Sequence, residues 1–252
     1  MHHFRKKICA FIASLVISSI TTGIISLLAL KAWYPFPYEK ISEGQRIFEL
    51  TMAVNLIIGP AITFVTFTPK KTRREIFFDI CITVTIQALA LAYGLWTMWN
   101  ARPIYTIFEY DRFRVIHQSE LPQNLYTRTP FARRPHLFEG PSLLALRPME
   151  NQEKLEMTIS AINGFPLSLQ TTLWKSYKSE RSTILKEARP VSDLLARFPD
   201  KYFYIKKSLD NTGKPIEMLA YLPLTARDKE FWTVVIENQN ADIVIYLPID
   251  SF

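Results

Sequence analysis

Three long apolar runs without a charged side chain limit what this chain can fold into. Ile8 to Leu30 holds 23 such residues. At 1.5 Å per residue a helix of that length reaches about 35 Å, enough for the roughly 30 Å hydrocarbon core of a bilayer. Leu50 to Phe67 adds 18 residues and Ile80 to Trp99 another 20. The last two are near the minimum length for a span, so tilt or snorkelling of flanking side chains is expected. Between them, Thr68 to Glu75 carries Pro69, Lys70, Lys71, Arg73 and Arg74, which is room only for a turn between antiparallel helices. The sequence therefore predicts a membrane hairpin with a basic tip, preceded by a first span. A cleaved signal peptide would have an apolar region of about 7–15 residues and a small-x-small cleavage site. The first run is longer and Leu30 to Tyr34 offers no such site, so an uncleaved span is expected. Trp33, Tyr34, Trp96 and Trp99 stand at run ends, where interfacial aromatics belong.

Orientation follows from basic residues in the short loops. Arg5, Lys6 and Lys7 precede the first run, and Lys70, Lys71, Arg73 and Arg74 form the tip. The loop on the opposite side has Lys31, Lys40 and Arg46, offset by Glu39 and Glu43. Seven against three predicts a cytoplasmic N-terminus and tip. The C-terminal part then lies outside, in the periplasm if the cell is Gram-negative, and the protein is a multi-pass protein of the inner membrane.

The two halves differ in charge. Residues 1–100 carry 10 Lys/Arg and 5 Asp/Glu, whereas residues 101–252 carry 20 and 18. The near balance of the second half excludes the basic face of a nucleic-acid binder. Both cysteines, Cys9 and Cys81, lie in apolar runs, and residues 101–252 contain only His117 and His136 as histidines, which excludes a Cys/His zinc site there. The expected organisation is a membrane domain over residues 1–100 and a small α+β extracytoplasmic domain over residues 101–252.

Within the second half, Ile104–Tyr110 and Phe113–Ile116 read as one strand, or two short ones, around Asp111-Arg112, and Glu217–Leu222, Phe231–Glu237 and Ile243–Leu247 read as three more, with a hairpin turn at Asn238–Asn240. Helices are predicted over Met149–Ile162, over Trp174–Ala188, from an N-cap at Ser192 to Phe198, and over Lys201–Leu209. Residues 121–148, with five prolines, read as irregular or extended connection.

The chain holds no phosphate-binding glycine loop, metalloprotease helix motif or nucleophile elbow. Glu109 and Asp111 share a face if one strand runs through both, and a carboxylate pair can serve acid–base chemistry; pairing with Arg112 and Arg114 is the plainer reading. His117 and His136 read as surface or packing residues. Asp200 and Asp210 bracket a basic helix without metal-ligand spacing. In the first run Ala10, Ser14, Ser18, Thr22 and Ser26 recur every fourth residue, with Ser19 and Gly23 as a second pair. Such stripes let helix backbones approach closely, either within this chain's own bundle or against a foreign helix. Asn55 and Gln87 need hydrogen-bond partners in lipid, and Gly59-Pro60 is expected to bend the second span.

The order of short motifs is distinctive: Gly59-Pro60, Pro69-Lys-Lys-x-Arg-Arg-Glu75, Leu91-Ala-Tyr-Gly94, Ala101-Arg-Pro103, Phe108-Glu-x-Asp111-Arg-Phe113, Tyr221-Leu-Pro-Leu224-x-x-Arg227 and Tyr246-Leu-Pro-Ile-Asp250. This series resembles the TfpX/TfpZ type IV pilin accessory proteins. The resemblance implies a non-enzymatic inner-membrane helper, without cofactor or catalytic residue, that stabilises a cognate major pilin and promotes its assembly into pili. Its implied partners are that pilin, other pilus assembly machinery and membrane lipid, not nucleic acid. Ser14, Ser18, Thr22, Asn55, Gly59, Pro60 and Gln87 are the candidate contacts for a pilin helix. A pilin-modifying membrane enzyme and a membrane-anchored envelope sensor or scaffold are the other classes open at this point.

Overall fold

The computed structural model describes residues 2–66, 71–121, 139–227 and 231–252. It divides into two compact units, Met1–Arg102 and Pro103–Phe252.

The first unit consists of α1 (His2–Trp33), the single turn α2 (Tyr38–Ile41), α3 (Gly44–Thr66) and α4 (Arg73–Ala101). Stretches of three of these helices, Phe11–Trp33, Gly44–Val65 and Arg73–Ala101, are long and apolar enough to cross a bilayer. Helices α3 and α4 begin before their charge-free stretches, because charged residues at their starts find local partners. In α3, Arg46 meets Glu43 at 2.9 Å and Gln45 donates to Glu49 at 2.9 Å. At the start of α4, Thr72 caps the helix: its backbone N–H donates to Glu75 Oε2 at 2.7 Å, and Glu75 N–H returns a bond to Thr72 Oγ1. Pro60 lies inside a continuous α3. Near one end, Tyr34 is fully buried among Ala29, Leu30 and Met98, and its hydroxyl donates to the Met98 carbonyl at 2.7 Å. Gly44 is required there: a Cβ would sit 2.4 Å from the Tyr34 ring.

The second unit is a mixed sheet flanked by short helices, so the protein is a membrane protein carrying an α+β domain. β1 (Pro103–Glu109) and β2 (Arg112–His117) form an antiparallel hairpin. β3 (Ser142–Leu146) runs parallel to β1 and pairs with β4 (Trp174–Ser176). β6 (Leu219–Thr225) runs parallel to β2 and antiparallel to β7 (Phe231–Glu237), which pairs with β8 (Ile243–Leu247). The order is β4-β3-β1-β2-β6-β7-β8, with the two-residue β5 (Arg189–Pro190) also on β6. The helices are α5 (Asn151–Ile162), α6 (Arg181–Glu187), α7 (Val191–Arg197) and α8 (Tyr202–Asp210). Six successive residues of β1 and of β6 are buried, which requires cover on both sheet faces. One core joins Tyr105, Ile107, Leu144, Leu146, Leu173 and Trp174; another joins Val191 and Leu194 of α7, Ile205 and Leu209 of α8, and the sheet residues Leu219, Tyr221 and Val235.

Several expected elements change. The strand thought to run to Tyr110 ends at Glu109, because Tyr110 has φ 63° and opens the hairpin turn. Glu109 and Asp111 therefore do not share a strand face. Glu109 accepts from the Ser168 backbone N–H and Asp111 from Arg112, while Arg114 pairs with Glu120. Burial pushes the Tyr110 phenol up to about 12, and this neutral hydroxyl anchors the turn by donating to the Arg147 carbonyl at 2.9 Å. The proline-rich stretch contains strand β3, and residues 122–138, including His136, lie outside the described residues. The helix expected over Trp174–Ala188 is instead strand β4, a 3-10 turn over Tyr177–Glu180 and then α6. Pro190, not Ser192, precedes α7 as its cap residue. The strand expected from Glu217 starts at Leu219, after a 3-10 turn at Ile216–Met218. The turn between β7 and β8 extends to Asp242, with Ala241 at φ 58° and Asn240 Oδ1 accepting from the Asp242 N–H.

The start of α5 is set by an ion pair with a measurable signature. Arg147 forks onto Glu153 at 2.8 and 2.7 Å, and the Glu150 backbone N–H adds a third bond. The Arg147 bonds, then the Glu150 bond, lower the Glu153 carboxyl from 4.5 to about 2. A depressed carboxylate stabilises the fold above its unfolded value and loses that contribution as pH falls through its folded value. Thermal midpoints of the wild type are therefore expected to lose this contribution between pH 4.5 and 2. Glu153→Gln should remove that part of the pH dependence. Identical pH profiles for the two proteins would refute the assignment.

The polar seam of the membrane unit as candidate functional site

Helices α1, α3 and α4 each carry small and polar residues at four-residue steps, and these faces meet. On α1 the row is Ser14, Ser18, Thr22 and Ser26; on α3 it is Thr51, Asn55, Gly59 and Thr63. The helices run in opposite directions. Thr63 Oγ1 lies 3.0 Å from Ser14 Oγ, and Ser18 lies beside Gly59. The same step brings Thr22 level with Asn55 and Ser26 level with Thr51. Residues four apart stack on one helix face, so one row of small side chains seats the other.

Gln87 of α4 closes the seam. Its Nε2 donates to Ser18 Oγ at 2.5 Å across the surface of Gly59. A Cβ on Gly59 would fall 1.4 Å from that nitrogen, so the glycine is the slot through which α4 reaches α1. Further along, Gly94 does the same for α3: a Cβ there would meet Thr51 Cγ2 at 2.3 Å. A Cβ on Gly23 of α1 would meet Met52 Cε at an ordinary contact distance of 3.6 Å. The hydroxyls also back-bond within their helices, Thr51 to the Ile47 carbonyl at 2.8 Å and Thr83 to the Asp79 carbonyl at 2.8 Å. Asn55 is 1% exposed; its amide donates to the Thr51 carbonyl at 3.0 Å, while its Oδ1 and the Ser26 hydroxyl have no partner among the described residues. A buried polar atom left unsatisfied costs about 1–3 kcal/mol.

The candidate contacts thus fall into two groups. Ser18, Thr22, Asn55, Gly59 and Pro60 are buried, and Ser18, Asn55 and Gly59 are engaged by the chain's own helices as described. Ser14 and Gln87 are only half-buried. The outward surface of the bundle is apolar, with Ile17, Ile20, Ile24 and Leu28 of α1, Ile57 and Val65 of α3, and Leu89 and Trp96 of α4 exposed. Thr51 and Thr63, which complete the α3 row around Asn55 and Gly59, were not among the candidates. The four-residue spacing of Thr51, Asn55, Gly59 and Thr63 is the signal that could have found them.

At the tip, Lys71 pairs with Asp79 at 2.5 Å, while Arg73 and Arg74 are exposed and Arg74 lies over the Phe78 ring. The side chains of Arg5, Lys6, Lys7 and Lys70 lie outside the described residues. No group of three or more potential metal ligands occurs among the described residues. Asp200 and Asp210 stand at the two ends of the Pro199–Asp210 helical stretch.

No family model matches the chain, and no solved structure matches it. Curated relatives do. The fimbrial assembly protein of serogroup I from Dichelobacter nodosus is 32% identical over 99% of this chain and 96% of its own length. The serogroup E1 protein of the same organism is 31% identical over the same shares. A protein of serogroups C1 and C2 is 33% identical over 48% of this chain and 94% of its own length. At that identity, over nearly the whole of both chains, this protein belongs to the family of fimbrial assembly proteins.

Proposed function

We propose that this protein is an inner-membrane accessory protein of the TfpX/TfpZ type that stabilises a cognate type IV pilin and promotes its assembly into pili. The observation that carries the reading is end-to-end relatedness to two proteins named for fimbrial assembly in different serogroups. In this reading the N-terminus and the 68–75 tip are cytoplasmic and the Pro103–Phe252 unit is periplasmic, as seven basic residues against three favour. The protein acts by binding and carries no catalytic step.

A pilin before assembly is an apolar helix in the membrane with a globular head outside, and this chain offers matching parts. The buried seam residues shape the bundle. Ser14 and Gln87, the half-buried pair, are positioned to exchange an internal hydrogen bond for one to a fourth helix, and the apolar exterior of α1 and α4 supplies packing. Specificity for one pilin then resides in the periplasmic unit, which meets the variable head.

Co-purification tests this directly. Tagged protein solubilised from membranes should enrich the pilin encoded in the same strain at least tenfold over an unrelated three-span protein. Deletion should lower pilin abundance and surface pili. Equal enrichment by the control, with unchanged pili in the deletion strain, would refute the proposal. A deletion-dependent change in pilin mass would instead support a modifying enzyme.

A further inference from the structure

Helix α8 leaves three successive aromatic side chains exposed on the C-terminal unit. It packs on the sheet through Ile205 and Leu209, both fully buried. Away from that face Phe203 is 85% exposed, and Tyr202 and Tyr204 are exposed as well. The Tyr202 and Phe203 rings meet edge to face with centroids 5.7 Å apart. Beside them, α7 and α8 border a groove of about 540 Å³ lined by Ser192, Leu195, Ala196, Pro199, Tyr202 and Phe203. The Ser192 hydroxyl and the Tyr202 phenol are the only polar side-chain groups among these. Single exposed apolar residues are ordinary, but aromatics contiguous with an apolar groove form a patch, and such patches mark contact sites.

The free cations around this patch are lysines. Lys201, Lys206 and Lys207 are exposed, and none joins a salt bridge among the described residues. The Lys206 ammonium stands 5.8 Å from the Tyr202 ring centroid. Arg197 of α7 is already engaged: its guanidinium donates to the Ser251 and Phe252 carbonyls. Asp193, Asp200 and Asp210 stand on the same two helices or at their ends, so residues 191–210 hold four cations against three carboxylates. The excess is small, and the kind of cation is the more telling fact. Protein interfaces favour arginine and are depleted in lysine. Tyrosine, phenylalanine and lysine together are instead the side chains that settle at a bilayer surface, where rings sit among the headgroups and lysine stems lie along apolar surface with the ammonium in water.

We propose that the α7–α8 face rests on the headgroup layer of an anionic phospholipid bilayer, with Phe203 inserted and Lys201, Lys206 and Lys207 against the lipid phosphates. The chain keeps such a surface within reach. Helix α4 is long and apolar enough to cross a bilayer, and only Arg102 separates it from β1, so no flexible linker lets the second unit leave the membrane. With a small positive excess, the aromatic side chains anchor the face and the lysines set its preference for anionic lipid.

The test uses the full chain in lipid nanodiscs, with Cys9→Ser and Cys81→Ser in place and a bimane fluorophore on Tyr204→Cys, next to Phe203. Lipids carrying a nitroxide on the headgroup quench a fluorophore that lies at the bilayer surface. Quenching should be at least twofold stronger in discs of mixed phosphatidylglycerol and phosphatidylcholine than in discs of phosphatidylcholine alone. Phe203→Glu should reduce it to the level of an unattached dye while the thermal midpoint stays in place, because the replaced ring is almost wholly exposed. Lys206→Gln with Lys207→Gln should remove the gain from phosphatidylglycerol. A label left unquenched in these pilin-free lipids would overturn the proposal, and its burial only after a pilin is added would assign the face to a protein instead. Undiminished quenching in the Phe203→Glu chain, or equal quenching in the two lipids, would overturn it as well.

Discussion

Trp174→Ala is expected to destabilise the C-terminal unit by about 3–5 kcal/mol, the range for removing a large aromatic from a packed core. Trp174 is 3% exposed, its ring centroid lies 4.9 Å from that of Tyr105, and its indole N–H donates to the Ser168 carbonyl at 2.9 Å. It also opens β4, the strand that covers the outer edge of β3 through Leu146–Trp174 pairing. Losing the ring therefore empties the core around Leu144, Leu146 and Leu173 and loosens a sheet edge together. A domain of ordinary stability has about 5–15 kcal/mol in total, so a loss of this size brings the unit close to unfolding. Denaturant unfolding followed by circular dichroism measures the effect. Trp174→Phe keeps an aromatic ring but leaves the Ser168 carbonyl without its donor, so it should lose about 1–3 kcal/mol. A Trp174→Ala midpoint indistinguishable from wild type would show that the indole does not hold this edge.

The same residue shows where sequence reading falls short. Trp174 to Ala188 looks helical because its polar residues are compatible with a helix and no proline interrupts them. In the fold, Trp174–Ser176 is recruited as a strand by β3, a demand made by residues some thirty positions earlier and invisible locally. β3 is hidden for the complementary reason: Ser-Leu-Leu-Ala-Leu has neither alternation nor β-branched residues, yet it lies between β1 and β4 with its last three residues buried. The strands that read correctly, such as Phe231–Glu237, carry β-branched and aromatic residues throughout. The membrane helices were legible because apolar length alone decides them, and only their ends moved, where Arg46 with Glu43 and Thr72 with Glu75 extend the helices. The seam was half legible. Spacing revealed the α1 row, but which neighbour it faced is a fact of packing, and it is α3 that answers Ser14 with Thr63 and Ser18 with Gly59. The groove between α7 and α8 could not be seen at all, since it depends on how the two helices pack.

Gly59→Leu is the substitution expected to damage the membrane unit most, and a smaller change at the same position isolates the reason. The site already places Gln87 Nε2 1.4 Å from where a Cβ would stand and Ser18 Oγ 3.0 Å away. Gln87 is flexible and can swing aside for an alanine, at the cost of its bond to Ser18. Hydrogen bonds between membrane helices average about 0.6 kcal/mol and reach about 1–2 kcal/mol, so Gly59→Ala should be mildly destabilising. A leucine also drives its branched end into α1, and overpacking costs about 1–3 kcal/mol or more. Its helices should therefore separate at the seam. Proximity reports this: with Cys9→Ser and Cys81→Ser in place, a cysteine pair introduced by Ser14→Cys and Thr63→Cys, whose parent oxygens lie 3.0 Å apart, should cross-link readily. Adding Gly59→Leu should abolish the cross-link, and adding Gly59→Ala should reduce it only slightly. The double variant Gly59→Ala with Gln87→Ala turns the sign. With the amide gone, alanine meets only the Ser18 hydroxyl at 3.0 Å, which is released from Gln87 and has to give by a few tenths of an ångström, and a glycine-to-alanine change within a helix gains about 1 kcal/mol. Gly59→Ala should then stabilise the Gln87→Ala protein while it destabilises the wild type, a non-additivity expected of residues in contact. If alanine at position 59 has the same effect in both backgrounds, Gln87 does not thread past Gly59 and the seam is not what joins α4 to α1.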